Sequence, residues 1–292
     1  MKNSSLLLCA LFAITILSSC NNAGNNTSAV VTVADSNNIA ANWKIGVQLW
    51  TFRMFTQAES LAKVDSAGIH YIEAYLGQPV DKISKDTFGL NLSDSGRKKL
   101  KDLLAQHHIQ MVAMGVITPK DRAEWVKAFE LAKYFGLSYI TCEPIKTQWD
   151  MIDSMAGAYG IKLAIHDHPM PNAYANPDSV LAAIAGHKNI GACADLGHWS
   201  RNGLDLVESL KKLEGHIYGV HLKDIVTLND THAADTVVGK GVVKFGPAFA
   251  ELNRQNFKGM FSIEQESNWY NSLPDIIATV KFYDAELVKL KK

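Results

Sequence analysis

From Trp43 onward the chain alternates short apolar runs with longer segments in which apolar residues recur every three or four positions. The short runs are too uniformly apolar for strands with one wet face, and suit strands of a parallel sheet buried on both sides. Eight strands are predicted: Lys44 to Trp50, Ile69 to Ala74, Ile109 to Val116, Ser138 to Glu143, Lys162 to His166, Ile190 to Asp195, Ile217 to His221 and Met260 to Glu264. Between them the spacing predicts amphipathic helices, among them Arg97 to His107, Arg122 to Tyr134 and Leu204 to Leu213. Glycines that could cap a helix precede several strands. Eight such units over residues 43–292 predict an α/β fold, a (β/α)8 TIM barrel, with its active site at the C-terminal strand ends.

The first forty residues follow a different pattern. Lys2 precedes an apolar run from Leu6 to Leu17, and polarity changes abruptly after Leu17, Ser18, Ser19 and Cys20. This predicts a signal peptide over residues 1–19 rather than a spanning helix. The Leu-Ser-Ser-Cys stretch resembles the bacterial lipobox, which implies that Cys20 is lipidated and begins the mature chain. Residues 20–42, rich in Asn, Ala, Ser and Thr, predict a flexible tether. Asn21 after the Cys resembles lipoproteins passed to the outer membrane, and the lack of an acidic run after Cys20 favours the periplasmic leaflet over the cell surface. The expectation is an exported protein on its periplasmic face, touching the membrane through the lipid alone.

Charge narrows the partners. Lys plus Arg and Asp plus Glu number 29 each, so no long-range field gathers nucleic acid. Cys142 and Cys193 fall on opposite strand faces by period-two phasing, which predicts free thiols.

Chemistry collects where the predicted strands end. Strand four ends in Glu143, strand five in His166 with His168 beyond, strand six in Asp195 and His198, strand seven in His221, and strand eight in Glu264 and Glu266. Five consecutive strands thus end in metal-ligating types, an asymmetry along the barrel that a solvated face does not predict. Glu143, Asp195, His221 and Glu264 hold the last inward positions and are the candidate ligands for one divalent ion, Mn, Mg, Co or Zn. Such a site could bind a carbonyl and its neighbouring hydroxyl, and stabilise the enediolate formed on loss of the α-proton. Glu143 and Glu264, on opposite strands of the barrel, are the candidate base and acid.

These residues, in "ITCEP", "ADLGHW", "VHLKD" and "SIEQES", resemble the xylose-isomerase-like TIM-barrel superfamily, in particular its sugar phosphate isomerase/epimerase group. The resemblance implies a Glu143, Asp195, His221, Glu264 metal set and a substrate-contacting His198. Trp149 and Thr227 stand where ketose 3-epimerases use a second Glu and an Arg, which opens a lyase or hydratase reading on 3-keto-glycosides. A lipid-anchored sugar-binding protein without turnover is a third reading. His166, His168 and Lys223 are further substrate-binding candidates. The alternatives are a turn around Asp167 and Pro169 for the histidines, and a surface pair with Asp224 for Lys223. Trp50, Trp149, Trp199 and Trp269 follow strand ends, and Trp50 and Trp199 are candidates to stack on a sugar ring, with core packing as the alternative. The loop from Asn229 to Phe245, with Asp230, His232, Gly239 and Gly241, resembles that of zinc-dependent apurinic endonucleases in the same superfamily. The second and third strands lack their histidines, so a three-zinc cluster is not expected. His232 is retained as a residue that closes over a sugar substrate.

Overall fold

The computed structural model describes residues 43–290. The segments expected to be a signal peptide and a tether, with Cys20 between them, lie outside the described residues. The strands are β1 (Lys44–Gln48), β2 (Tyr71–Ala74), β3 (Gln110–Ile117), β4 (Tyr139–Cys142), β5 (Lys162–His166), β6 (Ile190–Asp195), β7 (Ile217–Leu222), β8 (Asp224–Ile225), β9 (Asp235–Thr236) and β10 (Met260–Ile263). Eight of them close into a parallel barrel in the order β1-β10-β7-β6-β5-β4-β3-β2, while β8 and β9 form a two-stranded antiparallel pair. β4 and β10 lie four places apart on this ring of eight, so Glu143 and Glu264 follow opposite strands. The helices are α1 (Gln57–Ser66), α2 (Asp94–Gln106), α3 (Arg122–Phe135), α4 (Trp149–Tyr159), α5 (Pro177–Ile184), α6 (Leu196–Arg201), α7 (Leu206–Lys212), α8 (Phe245–Arg254) and α9 (Leu273–Lys289). None among the described residues is long and apolar enough to cross a membrane.

Local chemistry explains where the boundaries differ from the sequence pattern. β1 stops at Gln48 instead of running to Trp50, because the Gln48 side chain accepts from the Trp50 amide and starts a 3-10 turn over Leu49–Phe52. The segment predicted as one helix from Leu204 begins at Leu206, where Asp205 caps it by accepting from the Glu208 amide. Glu143 and Glu264 sit one residue past their strands, yet their amides still donate to Ile117 and Leu222 carbonyls of the neighbouring strands. Their backbones are thereby held in the barrel.

The core has two parts. A shell between strands and helices includes Val47, Ile140, Cys142, Phe249 and Phe261, all fully buried. A smaller plug of Val112, Ala113, Tyr139, Ala164, Cys193 and Met260 fills the barrel interior. Each fully buried Leu, Ile, Phe or Met side chain stabilises the fold by about 1.5 to 3 kcal/mol. Cys142 belongs to the shell and Cys193 to the plug, both as free thiols. Buried ionisable side chains such as His166, Asp195, His221 and Glu264 gather at the C-terminal strand ends, where the plug stops.

Candidate metal centre and active site

Asp195 is the last residue of β6 and the N-cap of α6. Its Oδ1 accepts from the His198 amide at 2.9 Å. Its Oδ2 is buried and has no hydrogen-bond partner. Around Oδ2 stand His198 Nε2 at 3.6 Å, His166 Nε2 at 3.7 Å, and His221 Nδ1 and Lys223 Nζ at 3.9 Å. His221 Nδ1 is also 2.9 Å from Glu264 Oε2 and 3.1 Å from His166 Nε2. His166, Asp195, His221 and Glu264, all buried, therefore bring one donor atom each to a common point. An unpartnered carboxylate oxygen among imidazole nitrogens, out of reach of water, is costly unless a cation or proton joins them. The donor set fits a divalent ion. Burial opposes protonation of His166, but Asp195 and Glu143 outweigh it and hold its pKa up at about 9.

Glu143 is placed elsewhere. Its carboxylate pairs with His168 Nδ1 and accepts from Asn172 Nδ2 at 3.0 Å, while its nearest approach to His166 is 3.9 Å. His166 is the fourth residue of that buried group, and Glu143 belongs with His166 and His168 to a second set of donor atoms that also lie close together. The reason is geometric: β5 delivers His166 from inside the barrel, whereas Glu143, just beyond β4, meets His168 at the rim. Burial raises the Glu143 pKa, but the neighbouring imidazoles of His166 and His168 prevail and keep it ionised.

His198 is fixed by Arg201, whose Nη1 is 2.9 Å from His198 Nδ1. A guanidinium can only donate, so Nδ1 accepts and the neutral ring carries its proton on Nε2. Burial, reinforced by the nearby positive charge of Lys223, keeps the ring neutral despite Asp195. His198 is then a hydrogen-bond donor, not a fifth metal ligand. Arg201 is held by the Ala233 carbonyl and Asp235. Lys223, fully buried, pairs with Glu266 and lies 3.3 Å from Glu264 Oε2. Burial would neutralise it, but Glu264, Asp195, Glu266 and Asp235 hold its pKa above the ordinary lysine value.

The surface pairing of Lys223 with Asp224 does not occur. Asp224 instead gathers four amides: Ile225 and Val243 donate to Oδ1, Gly239 and Gly241 to Oδ2. This carboxylate shapes the loop beyond β7. The cavity above the centre measures about 700 Å3 and is lined by Gln48, Trp50, His168, His198, Glu264 and Glu266 among others. Trp50 donates from Nε1 to Glu266, and the Arg53 guanidinium lies 4.7 Å from the Trp50 ring and 3.4 Å from that of Trp269. Trp199 is buried in α6 and does not line this cavity, and His232 is exposed on the loop outside it. Both were expected against the substrate. Trp199 is drawn into the core because α6 starts directly at Asp195, turning the ring away from the rim.

Glu73, Arg201 and Asp235 were not among the sequence candidates, and Asp224 entered only as a surface partner for Lys223. Glu73 had a signal, a lone carboxylate inside the apolar strand "YIEA". Arg201 and Asp235 are 34 residues apart and become partners only through the loop that Asp224 shapes.

A family model described as xylose isomerase-like TIM barrel matches residues 61–285. The chain belongs to this family. Inosose dehydratase of Clostridium perfringens is 23% identical over 212 residues, covering 64% of this chain and 70% of its own. An uncharacterised protein from Parabacteroides distasonis, solved by crystallography, is 33% identical with a TM-score of 0.68, and the match covers 84% of this chain and 99% of that one. The IOLI protein, whose crystal structure holds a zinc atom, is 19% identical with a TM-score of 0.69, over 84% and 98% of the two chains. Within the xylose isomerase-like family, this chain carries its own buried cluster of possible metal ligands at the C-terminal end of the barrel.

Proposed function

We propose that this protein is a divalent-metal-dependent enzyme that moves the proton α to the carbonyl of an unphosphorylated sugar or sugar derivative. The observation that carries the reading is the unpartnered Asp195 Oδ2, buried among donor atoms of His166, His221 and Glu264 beneath the cavity. A bound divalent ion would supply Lewis-acid polarisation of the substrate carbonyl. Two imidazoles and two carboxylates suit Zn, Co or Mn better than Mg. His198 donates its Nε2 proton to a substrate oxygen. Glu264 lines the cavity, and Glu143 pairs with His168, which lines it too; in this reading the two carboxylates remove and return the proton.

Two features support an unphosphorylated substrate. The Gly239 and Gly241 amides beyond β7 are already bound by Asp224, so this glycine loop is not an open phosphate cradle. Lys223 and Arg201 are likewise matched by Glu266 and Asp235.

Epimerisation or isomerisation is the leading reaction. Elimination is the second reading, favoured by the similarity to an inosose dehydratase: the same enolate expels a β-hydroxyl or a β-glycosyl group. Both readings predict that metal-loaded protein in D2O exchanges the α-proton of a free ketose or a 3-keto-glycoside. Glu143→Gln and Glu264→Gln should each lower kcat by about two to four orders of magnitude. Sugar binding without exchange of any α-proton would leave only the binding-protein reading, and undiminished turnover in both variants would move the proton chemistry elsewhere.

A further inference from the structure

Glu73 is a carboxylate inside the barrel that the proposed proton chemistry does not use. It is fully buried on β2, across β1 and β10 from β7. Its Oε2 accepts from Ser262 Oγ at 2.8 Å and lies 2.9 Å from His221 Nε2. The apolar plug occupies the barrel interior close by, with Ala164, Cys193 and Met260. A desolvated carboxylate in such surroundings is costly, so its position calls for a task.

The task follows from hydrogen-bond direction. An ionised carboxylate can only accept, so at this contact His221 Nε2 carries the proton and donates it to Glu73. Glu264 Oε2, 2.9 Å from Nδ1, holds a second proton there in the metal-free ring; a divalent ion displaces that Nδ1 proton while Glu73 keeps the one on Nε2, and the freed lone pair faces His166, Asp195 and Glu264. We infer that Glu73 is a positioning residue: it fixes the tautomer and ring plane of His221 so that Nδ1 is presented to a divalent ion. The inference rests on the metal reading above. Glu73 touches neither the cavity nor the other donor atoms of the cluster. Its effect on the reaction therefore passes through His221 alone.

The experiment uses Zn2+ as the probe, titrated into metal-stripped protein against a chromogenic chelator, with long-range 1H–15N spectra of the histidine rings. Glu73→Gln should weaken Zn2+ affinity by about ten- to a hundredfold, the usual loss when the partner of a ligating histidine is removed. Ser262→Ala, which removes the other hydrogen bond to the same carboxylate, should change affinity by less than about threefold. In zinc-loaded wild-type protein the His221 signals should show a protonated Nε2 and a metal-bound Nδ1. Wild-type affinity in folded Glu73→Gln, an equal loss in Ser262→Ala, or zinc on Nε2 of His221 would overturn the inference. The last readout needs no variant to fold. Failure of the wild-type protein to bind Zn2+, Co2+ or Mn2+ would instead overturn the metal reading beneath it.

Discussion

Asp195 splits its work between two oxygens, one closing the first turn of α6 and the other facing the three imidazoles. The two roles separate by substitution. Asp195→Asn keeps an oxygen for the cap and removes the charge, so it should lose the ion while the metal-free protein unfolds at nearly the wild-type temperature. Asp195→Ala should lose the ion and also about 0.5 to 2 kcal/mol with the cap. Elemental analysis with thermal unfolding of the metal-free proteins checks both, and full metal occupancy in either variant contradicts the ligand set. Asp195, His221 and Glu264 were legible in sequence because each ends an apolar run on the inward phase. His166 lies on the same phase, but Asp167 and Pro169 beside it gave it the look of a turn. Its place in the cluster depends on the approach of β5 to β6 and β7, which spacing along one strand does not encode.

Among the elements, α6 shows how backbone approach sets the site. A Cβ built on Gly197 would stand 2.7 Å from Lys223 Cγ and 2.8 Å from the Lys223 carbonyl oxygen. Glycine lets the first turn of α6 lie against the segment that follows β7, which sets the positions of His198 and Arg201. Gly197→Ala should push the helix outward, costing about 1 to 3 kcal/mol as overpacked sites do. It should also weaken metal binding while leaving every ligand in place. Thermal unfolding and Zn2+ titration measure the two effects, and wild-type values in both would show that the helix has room. The barrel strands were legible because their apolar runs are continuous and separated by helix-length segments. The 3-10 turn after β1 and the β8–β9 pair were not. The turn follows from one side-chain bond by Gln48, and the pair lies within a loop whose amides are gathered by Asp224.

For the whole molecule, eight closed strands turn a linear pattern into a radial one. Residues nearly two hundred apart, such as Glu73 and Ser262, become hydrogen-bonded neighbours because β2 and β10 both flank β1. The fold was legible from the count and spacing of strands, and the end that carries the chemistry from where the charged residues fell. The division of labour was not, because only closure decides which rim carboxylate reaches the centre and which meets His168. The direct test of the account is the position of the ion, located by anomalous scattering from crystals grown with Zn2+ or Co2+. A single strong peak is expected, bonded to His166 Nε2, Asp195 Oδ2, His221 Nδ1 and Glu264. A peak held by Glu143 and His168 instead, or no peak among these residues at full metal loading, would contradict it.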